Sequence, residues 1–255
     1  MDAASQFNNN FRSFLQMIAG APHGASLHFK DGSLAAASGE PSAGENYVIF
    51  NEEARPKDVA EAKAFFEKRG ASFIAPWLPS TPYELAEAFQ ENGLLRRRIY
   101  TSMYLPRENM TPLDGAGCFE DISGAQRSDW AEALWLAFGG DGADAKGIAG
   151  YRSFGEYLAQ ASGNRALVLR DEGRIVTTAL LHETAETMGL YYFATLPEYR
   201  KRGHAGRLLE ALGGLSLKAD KELCLLATEE GFKLYISHGF KMIDKIAIYS
   251  TSANI

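Results

Sequence analysis

The sequence predicts an α/β protein, α+β in the order of its elements, built on a mixed sheet and split into two halves. Three observations lead there. The second half orders two helices, a meander of three strands, and then strand–helix–strand–helix–strand, which calls for parallel and antiparallel pairing together. A stretch rich in Pro, Gly and Asp, "PRENMTPLDGAG", separates the halves as a linker. The halves also echo each other. "AEAFQENGLLRRRIYTSMYL" and "FKLYISHGFKMIDKIAIYS" each give a short helix, a Gly four residues after an aromatic, an apolar residue and paired strands. Phe89 stands where Tyr235 stands, and Leu94 where Phe240 stands. The division this predicts is 1–113 and 117–255.

The elements follow in order. Phe7, Phe11, Phe14, Leu15 and Ile18 recur at helical spacing, so the N-terminus reads as an amphipathic helix packed on the body. "SLHFKDGSLAAAS" is a hairpin around Lys-Asp-Gly-Ser, and "NYVIF" a strand. "PKDVAEAKAFFEKRG" starts at Pro, carries a helical apolar stripe and closes on Gly. "ASFIAPWL" is a strand, and "STPYELAEAFQENG" a helix capped by Ser80 or Thr81. "LLRRRIYTSMYL" alternates as a strand pair. Beyond the linker, "SDWAEALWLAF" and "YRSFGEYLAQA" read as helices flanking a loop, "GGDGADAKGIAG". Residues 165–195 read as three antiparallel strands, with turns at Asp171-Glu172-Gly173 and near Met188-Gly189. "KELCLLAT" is nearly all apolar, as a buried central strand must be. "EEGFKLYISHG" is a short helix, and "FKMIDKIAIYS" supplies the last strands.

Bulk properties exclude several classes of function. With 46% hydrophobic and 23% charged residues over 255 positions, the chain has material for a real core. A net charge of -6 and a pI near 5.5 argue against nucleic-acid binding, which needs excess Lys and Arg against phosphate. No apolar run approaches the ~20 residues of a membrane span, and the N-terminus lacks the basic lead of a signal peptide. Cys118 and Cys224 form no CxxC, and the five histidines are scattered. A reduced, cytoplasmic setting is therefore expected, with no membrane partner, no metal, and Cys224 as a small core residue.

Against this acidic background, "PEYRKRGHAGRLLEAL" gathers Arg200, Lys201, Arg202, His204 and Arg207 at the mouth of one helix. Pro197 ends the preceding strand, because it has no N–H for a ladder. A helix start leaves about four amides unpaired and carries roughly half a positive charge. No Ser, Thr, Asp or Asn lies between Pro197 and Gly203 to cover it. Basic side chains at that end are electrostatically misplaced unless an anion joins them. The stretch predicts a phosphate or pyrophosphate site, with Gly203 permitting close approach.

"LPEYRKRGHAGRLL" resembles the acetyl-CoA motif of the Gcn5-related N-acetyltransferases (GNAT), Arg/Gln-x-x-Gly-x-Gly/Ala, at Arg200, Gly203 and Ala205. "LLATEEGFKLYISHGF" resembles that family's second motif, with a Tyr shortly before Gly-Phe. The resemblance covers residues 117–255, and residues 1–113 resemble the degenerate half of tandem members. It implies acetyl-CoA as cosubstrate, with the backbone of Phe193, Ala194 and Thr195 pairing with the pantetheine arm. It further implies that the loop of Arg200, Lys201, Arg202, Gly203, His204, Ala205, Gly206 and Arg207 holds the pyrophosphate. Thr228 or Glu230 stands where many members place an Asn toward the cofactor. The reaction implied is direct attack of an amine on the thioester, the acceptor being a small molecule or an amino acid.

A departing thiolate wants an acid of similar or higher pKa, and Tyr235, near ~10, meets that need. Glu183, in "LLHETAE", is the candidate base and His182 the second choice. No Cys–His or Ser–His arrangement competes. Two other functions fit the same motifs: a non-catalytic acyl-CoA sensor, and a tRNA-dependent peptidyltransferase, which the pI disfavours. A homodimer is left open.

Overall fold

A computed structural model of the protein describes residues 2–113 and 119–253; Cys118 lies outside them. The chain forms two compact units that are not its linear halves. One unit takes Phe14–Tyr100 and the residues from Lys245 onward; the other takes the residues up to Ser13 and Thr101–Asp244.

The first helix, α1 (Ala3–Ala19), buries the predicted stripe: Phe7, Phe11, Phe14, Leu15 and Ile18 are all shielded from solvent. In the unit containing Phe14–Tyr100, strands β1 (Ala25–His28), β2 (Leu34–Ala37) and β3 (Asn46–Ile49) form an antiparallel meander. Helix α2 (Pro56–Glu67) then crosses over to β4 (Ile74–Trp77), which runs parallel to β3 through Tyr47 and Ile74. The short helix α3 (Leu85–Glu91) follows. It begins later than predicted, and neither Ser80 nor Thr81 caps it. Pro82 and Tyr83 accept from Leu85 and Ala86 N–H, so a turn fills those positions. The core is aromatic, with Phe50, Phe66, Phe73 and Phe89 fully buried beside Leu85 and Leu94.

"LLRRRIYTSMYL" is one strand rather than a pair: β5 runs from Leu95 to Leu105. It contains no Gly, Pro or Asn to turn on, and the division between the units falls within it, at Tyr100/Thr101.

In the unit containing Thr101–Asp244, a short strand β6 (Glu120–Asp121) that the sequence did not announce pairs β7 (Asn164–Asp171). Helices α4 (Gln126–Ala137) and α5 (Ala145–Gln160) pack on each other. α5 takes in "AKGIAG", which reads as loop in the sequence, because the Asp144 side chain caps it through Gly147 N–H at 2.9 Å. Strands β7, β8 (Arg174–Glu183) and β9 (Thr187–Thr195) form the predicted meander. The first turn is where expected, with Glu172 and Gly173 both at positive φ. The second falls at residues 184–186, ahead of Met188-Gly189.

Helix α6 (His204–Lys218) buries Leu208, Leu209, Leu212 and Leu215 on one stripe. Each such side chain contributes roughly 1.5–3 kcal/mol. It leads to β10 (Glu222–Ala227), parallel to β9 and, on its other edge, antiparallel to the Thr101–Leu105 part of β5. Helix α7 (Glu229–Ser237) follows. The final segment is again a single strand, β11 (Lys241–Ser250), whose end pairs β4 from Ala247 to Ser250. β10 is thus flanked by Thr101–Leu105 from the start of its own segment, whereas β4 is flanked by Ala247–Ser250 from the far end of the sequence. Cys224 is buried in β10, and burial pushes its thiol up to about 12, so it stays protonated in the core.

Candidate active site

Parallel β9 and β10 stay in register only from Thr187↔Glu222 to Leu190↔Leu225 among the described residues. Beyond that point β10 continues to pair with β5 through Leu226 and Ala227, while Tyr191–Thr195 leave its other edge. Exposure follows the parting: Thr187–Leu190 are buried and Tyr191–Thr195 half-buried. The strands open a cleft toward their C-terminal ends, lined by backbone groups of β9.

A β-bulge shapes this cleft. Opposite β9, Leu180 pairs Tyr191 and Thr178 pairs Ala194, so Ala179 alone faces Tyr192 and Phe193. Tyr192 adopts φ 47, and the Thr178 hydroxyl donates to its carbonyl at 3.0 Å. The extra residue shifts the side-chain alternation. Leu190 and Phe193 both join the apolar cluster of α6 and α7. Tyr191 and Tyr192 both reach the other face, where α1, α4 and α5 lie. Tyr191 donates to Asn10 Oδ1 at 2.8 Å, and the Tyr192 ring meets Phe138 and Phe154 edge-on.

At the open end, Pro197–Tyr199 form a short turn, and Lys201 and Gly203 take left-handed φ of 61 and 82. Gly203 starts α6 with no side-chain cap. The amide of Arg207 bonds Gly203 O, so the amides of His204, Ala205 and Gly206 open the helix with no acceptor a turn behind them. A Cβ built on Gly203 meets nothing within 4 Å, which leaves room there for a ligand oxygen. Unpaired amides, the positive helix end and exposed Lys201, Arg202 and Arg207 suit a pyrophosphate. The groups needed to hold acetyl-CoA therefore fit.

Two side chains in this loop have structural duties. Arg200 donates from Nε to Thr195 O at 3.0 Å and from its terminal nitrogen to Ala137 O at 3.1 Å, tying the ends of β9 and α4 together. Arg202 bonds Glu198 O and covers the Tyr199 ring at 5.1 Å. His204 turns inward and is buried, with Nε2 3.6 Å from Asp171 Oδ2, so at this position only its amide faces the helix mouth.

On the α7 side, Tyr235 is buried against Phe240 at 5.4 Å and Phe193 at 6.3 Å. Burial raises its pKa well above the ordinary phenol value, so the hydroxyl keeps its proton at neutral pH. Thr228, at the end of β10, spends its side chain capping α7 through Gly231 N–H at 3.2 Å.

Glu183 is not brought to the cleft. It pairs with Met188 at the opposite end of β9 and binds Lys221 Nζ at 2.5 Å. Five residues of strand, about 16 Å, separate Met188 from Phe193. His182, the second candidate base, lies at that same end in a buried polar knot. Ser13 Oγ stands 2.9 Å from its Nε2 and Asn164 Oδ1 2.7 Å from its Nδ1. Asn164 Nδ2 donates to Leu158 O, which leaves Oδ1 as acceptor and puts the imidazole proton on Nδ1. Nε2 then accepts from Ser13. Burial holds the His182 pKa down to about 4. Asn10 Nδ2 joins in, donating to His182 O at 3.0 Å.

The chain thus does contain a Ser–His arrangement, and the sequence reading missed it. A polar Asn10 set in the Phe7–Phe11–Phe14 stripe was the available signal. Among the described residues no group of three His, Cys, Asp or Glu is placed to hold a metal, and no helix is long and apolar enough to cross a membrane.

A parted parallel strand pair facing an uncapped, glycine-led helix offers a free strand edge beside an anion-binding helix start. Residues 162–242, a stretch that includes both strands of the cleft and the start of α6, match the family model of the acetyltransferase (GNAT) domain. No curated protein matches the sequence. Among solved structures, a GCN5-related N-acetyltransferase from Kribbella flavida aligns with a TM-score of 0.67 at 12% identity, over 98% of this chain and 96% of that one. A functionally unknown conserved protein from Staphylococcus epidermidis aligns with a TM-score of 0.66 at 13% identity, over 91% and 95%. A tandem GNAT protein from the clavulanic acid biosynthesis pathway, solved without acetyl-CoA, gives 0.56 at 16% over 97% and 96%. The fold is that of tandem GNAT proteins, as the two motifs predicted.

Proposed function

We propose that the protein is an acetyl-CoA-dependent N-acetyltransferase acting on the amine of a small molecule or amino acid. The observation that carries this reading is the cleft between β9 and β10, opening directly onto the uncapped start of α6. When bound, acetyl-CoA supplies a thioester, and its acetyl group passes to the amine with release of a thiol.

The residues of this chain divide the remaining work. The edge of β9 at Phe193 and Ala194, which β10 no longer pairs, holds the extended arm as an added strand would be held, and Thr195, its carbonyl gripped by Arg200, closes that edge. The amides from Gly203 to Gly206 and the cations Lys201 and Arg207 hold the pyrophosphate. Tyr235 Oη keeps a proton for the leaving sulfur, and its raised pKa ensures that the proton is present at neutral pH. Arg200 and Thr228 serve by fixing the ends of β9 and α7 rather than by side-chain contact. Glu183 takes no part, and the acceptor loses its proton to water at the open face. A cytoplasmic location and a low-molecular-weight acceptor belong to the same reading.

The test is calorimetric titration with acetyl-CoA, followed by an amine screen read by thiol release. Failure to bind acetyl-CoA would sink the proposal; binding without turnover on any amine would favour a sensor instead.

A further inference from the structure

We infer that the acceptor amine is carried on an aromatic or flat apolar body, seated against Tyr192 and Phe138. This deepens the transferase reading and rests on it. The face of the cleft toward α6 and α7 is committed to the thioester by the loop at Gly203, so the amine approaches from the face of α1, α4 and α5. That face is aromatic by construction. The bulge sends Tyr191 and Tyr192 there in succession, and Tyr192 is held in a left-handed conformation that a bulky residue seldom adopts. Such strain persists only where the surroundings impose it, and it concentrates at ligand sites.

Phe138 stands beside it, at the end of α4, with ring centroids 6.2 Å apart and planes at 83°. Its side chain is 61% exposed, the largest exposure of any phenylalanine among the described residues. Phe154 backs Tyr192 at 6.4 Å and is itself buried against Tyr151. The wall therefore has a packed rear and an open front. An aromatic pair fixed in this way offers ring edges and faces to a flat group, and ring faces to an ammonium.

One further feature fits an incoming cation, and another ties the wall to the cofactor loop. Asp141 and Asp144 lie exposed on the loop directly after Phe138, their carboxylates oriented by Ala143 and Gly147 amides. The wall is also registered to the cofactor loop. Arg200 grips Ala137 O, next to Phe138, while it grips Thr195 O at the end of β9. The helix end that carries Phe138 and the strand end that leads to Gly203 are thus set by one guanidinium.

The experiment compares 2-phenylethylamine with ethanolamine as acceptors for the full chain, in the wild type, Phe138→Ala and Phe138→Tyr. The expected result is a higher kcat/KM for 2-phenylethylamine. Phe138→Ala should lower that value about tenfold more than the value for ethanolamine, and Phe138→Tyr should restore it. Acetyl-CoA affinity should stay the same throughout, and Phe138 is exposed enough that its loss spares the fold. Equal or better use of ethanolamine by the wild type would overturn the inference, as would equal losses on both amines.

If no amine of the screen releases thiol while acetyl-CoA still binds, the transferase reading fails on its own. Calorimetric titration of 2-phenylethylamine into CoA-loaded protein then decides the inference. Binding weakened by Phe138→Ala supports it, and no binding overturns it.

Discussion

Helices α2 and α6 occupy equivalent places, each crossing between two parallel strands, yet they begin in opposite ways. α6 starts at Gly203 with no side-chain cap, behind Arg200, Lys201 and Arg202. α2 starts at Pro56, which has no N–H to leave unpaired, and Asp58 Oδ2 accepts from Arg55 N–H at 2.8 Å. The segment ahead of it, "NEEARP", is acidic where the other is basic. One helix end invites an anion; the other supplies its own.

The contrast continues along the strands. Where Tyr235 packs against Phe193 of β9 and Phe240, Phe89 is fully buried among Phe50, Trp77 and Tyr249, with centroids 5.1–5.7 Å away. An apolar aromatic cluster fills that unit. The same strand–helix–strand frame thus differs between the units in three local respects: the helix cap, the charge ahead of it and one hydroxyl; on the proposed function these decide between a binding site and a core.

The hydroxyl offers the largest expected effect. Tyr235→Phe makes the unit that carries α6 resemble the other at this position while keeping the ring's packing against Phe240. A positioned acid is worth ~10²–10⁴-fold in rate, so kcat should fall by that range while acetyl-CoA affinity holds. A drop in melting temperature with normal kcat would make Tyr235 a core residue like Phe89, and that part of the comparison would break.

The helix start comes next. Gly203→Val forces a branched residue into φ 82, and its side chain enters the open space before the amides. Losing several charge-assisted bonds to a pyrophosphate costs about 3 kcal/mol, or roughly 10²-fold in affinity. Calorimetry should show that loss with only a modest shift in melting temperature. Undiminished binding would mean that the α6 mouth is no more an anion site than that of α2.

How much of this could be read beforehand depends on how local the physics is. The α6 mouth was legible because Pro197, Gly203 and a missing cap lie within seven residues. The parting of β9 from β10 was not, since pairing between distant strands leaves no mark in either one. Glu183 and His182, the candidate bases, lie at the far end of β9 from the motif, and the topology already implied that placement. In an antiparallel meander the end of β8 lies beside the start of β9, whereas the motif follows the end of β9. The single strands β5 and β11 were also within reach, because neither segment holds a Gly, Pro or Asn. The knot of Asn10, Ser13 and His182 joins positions some 170 residues apart, and only the odd polar residue in the α1 stripe hinted at it.

That knot gives the unit with the cleft an acid sensitivity. His182 has a folded pKa of about 4, against 6.5 when unfolded. As pH falls below 6.5 the unfolded chain takes up this proton first, so stability is full above 6.5, declines down to about 4, and levels off below. A difference of this size is worth about 3 kcal/mol. Urea midpoints at pH 7.5 and 4.5, for wild type and His182→Gln, should give a steeper fall for the wild type. Parallel falls would show that other groups dominate acid unfolding.

The smallest effect tests the comparison most directly. Asp58→Ala removes the carboxylate that α2 supplies for itself. A lost helix-start partner costs ~1 kcal/mol, a few degrees in melting temperature at most. If the cap alone kept this unit from binding, the variant would take up a second acetyl-CoA per chain. It should not. Pro56 still occupies the first turn, Phe50, Trp77 and Phe89 still fill the space of a cleft, and Glu52 and Glu53 still repel phosphate. Calorimetric stoichiometry should therefore be one for both wild type and Asp58→Ala, with unchanged affinity. A wild-type stoichiometry of two would overturn the contrast between the units. A value of two in the variant alone would reduce it to a single carboxylate, with the aromatic cluster yielding to the ligand.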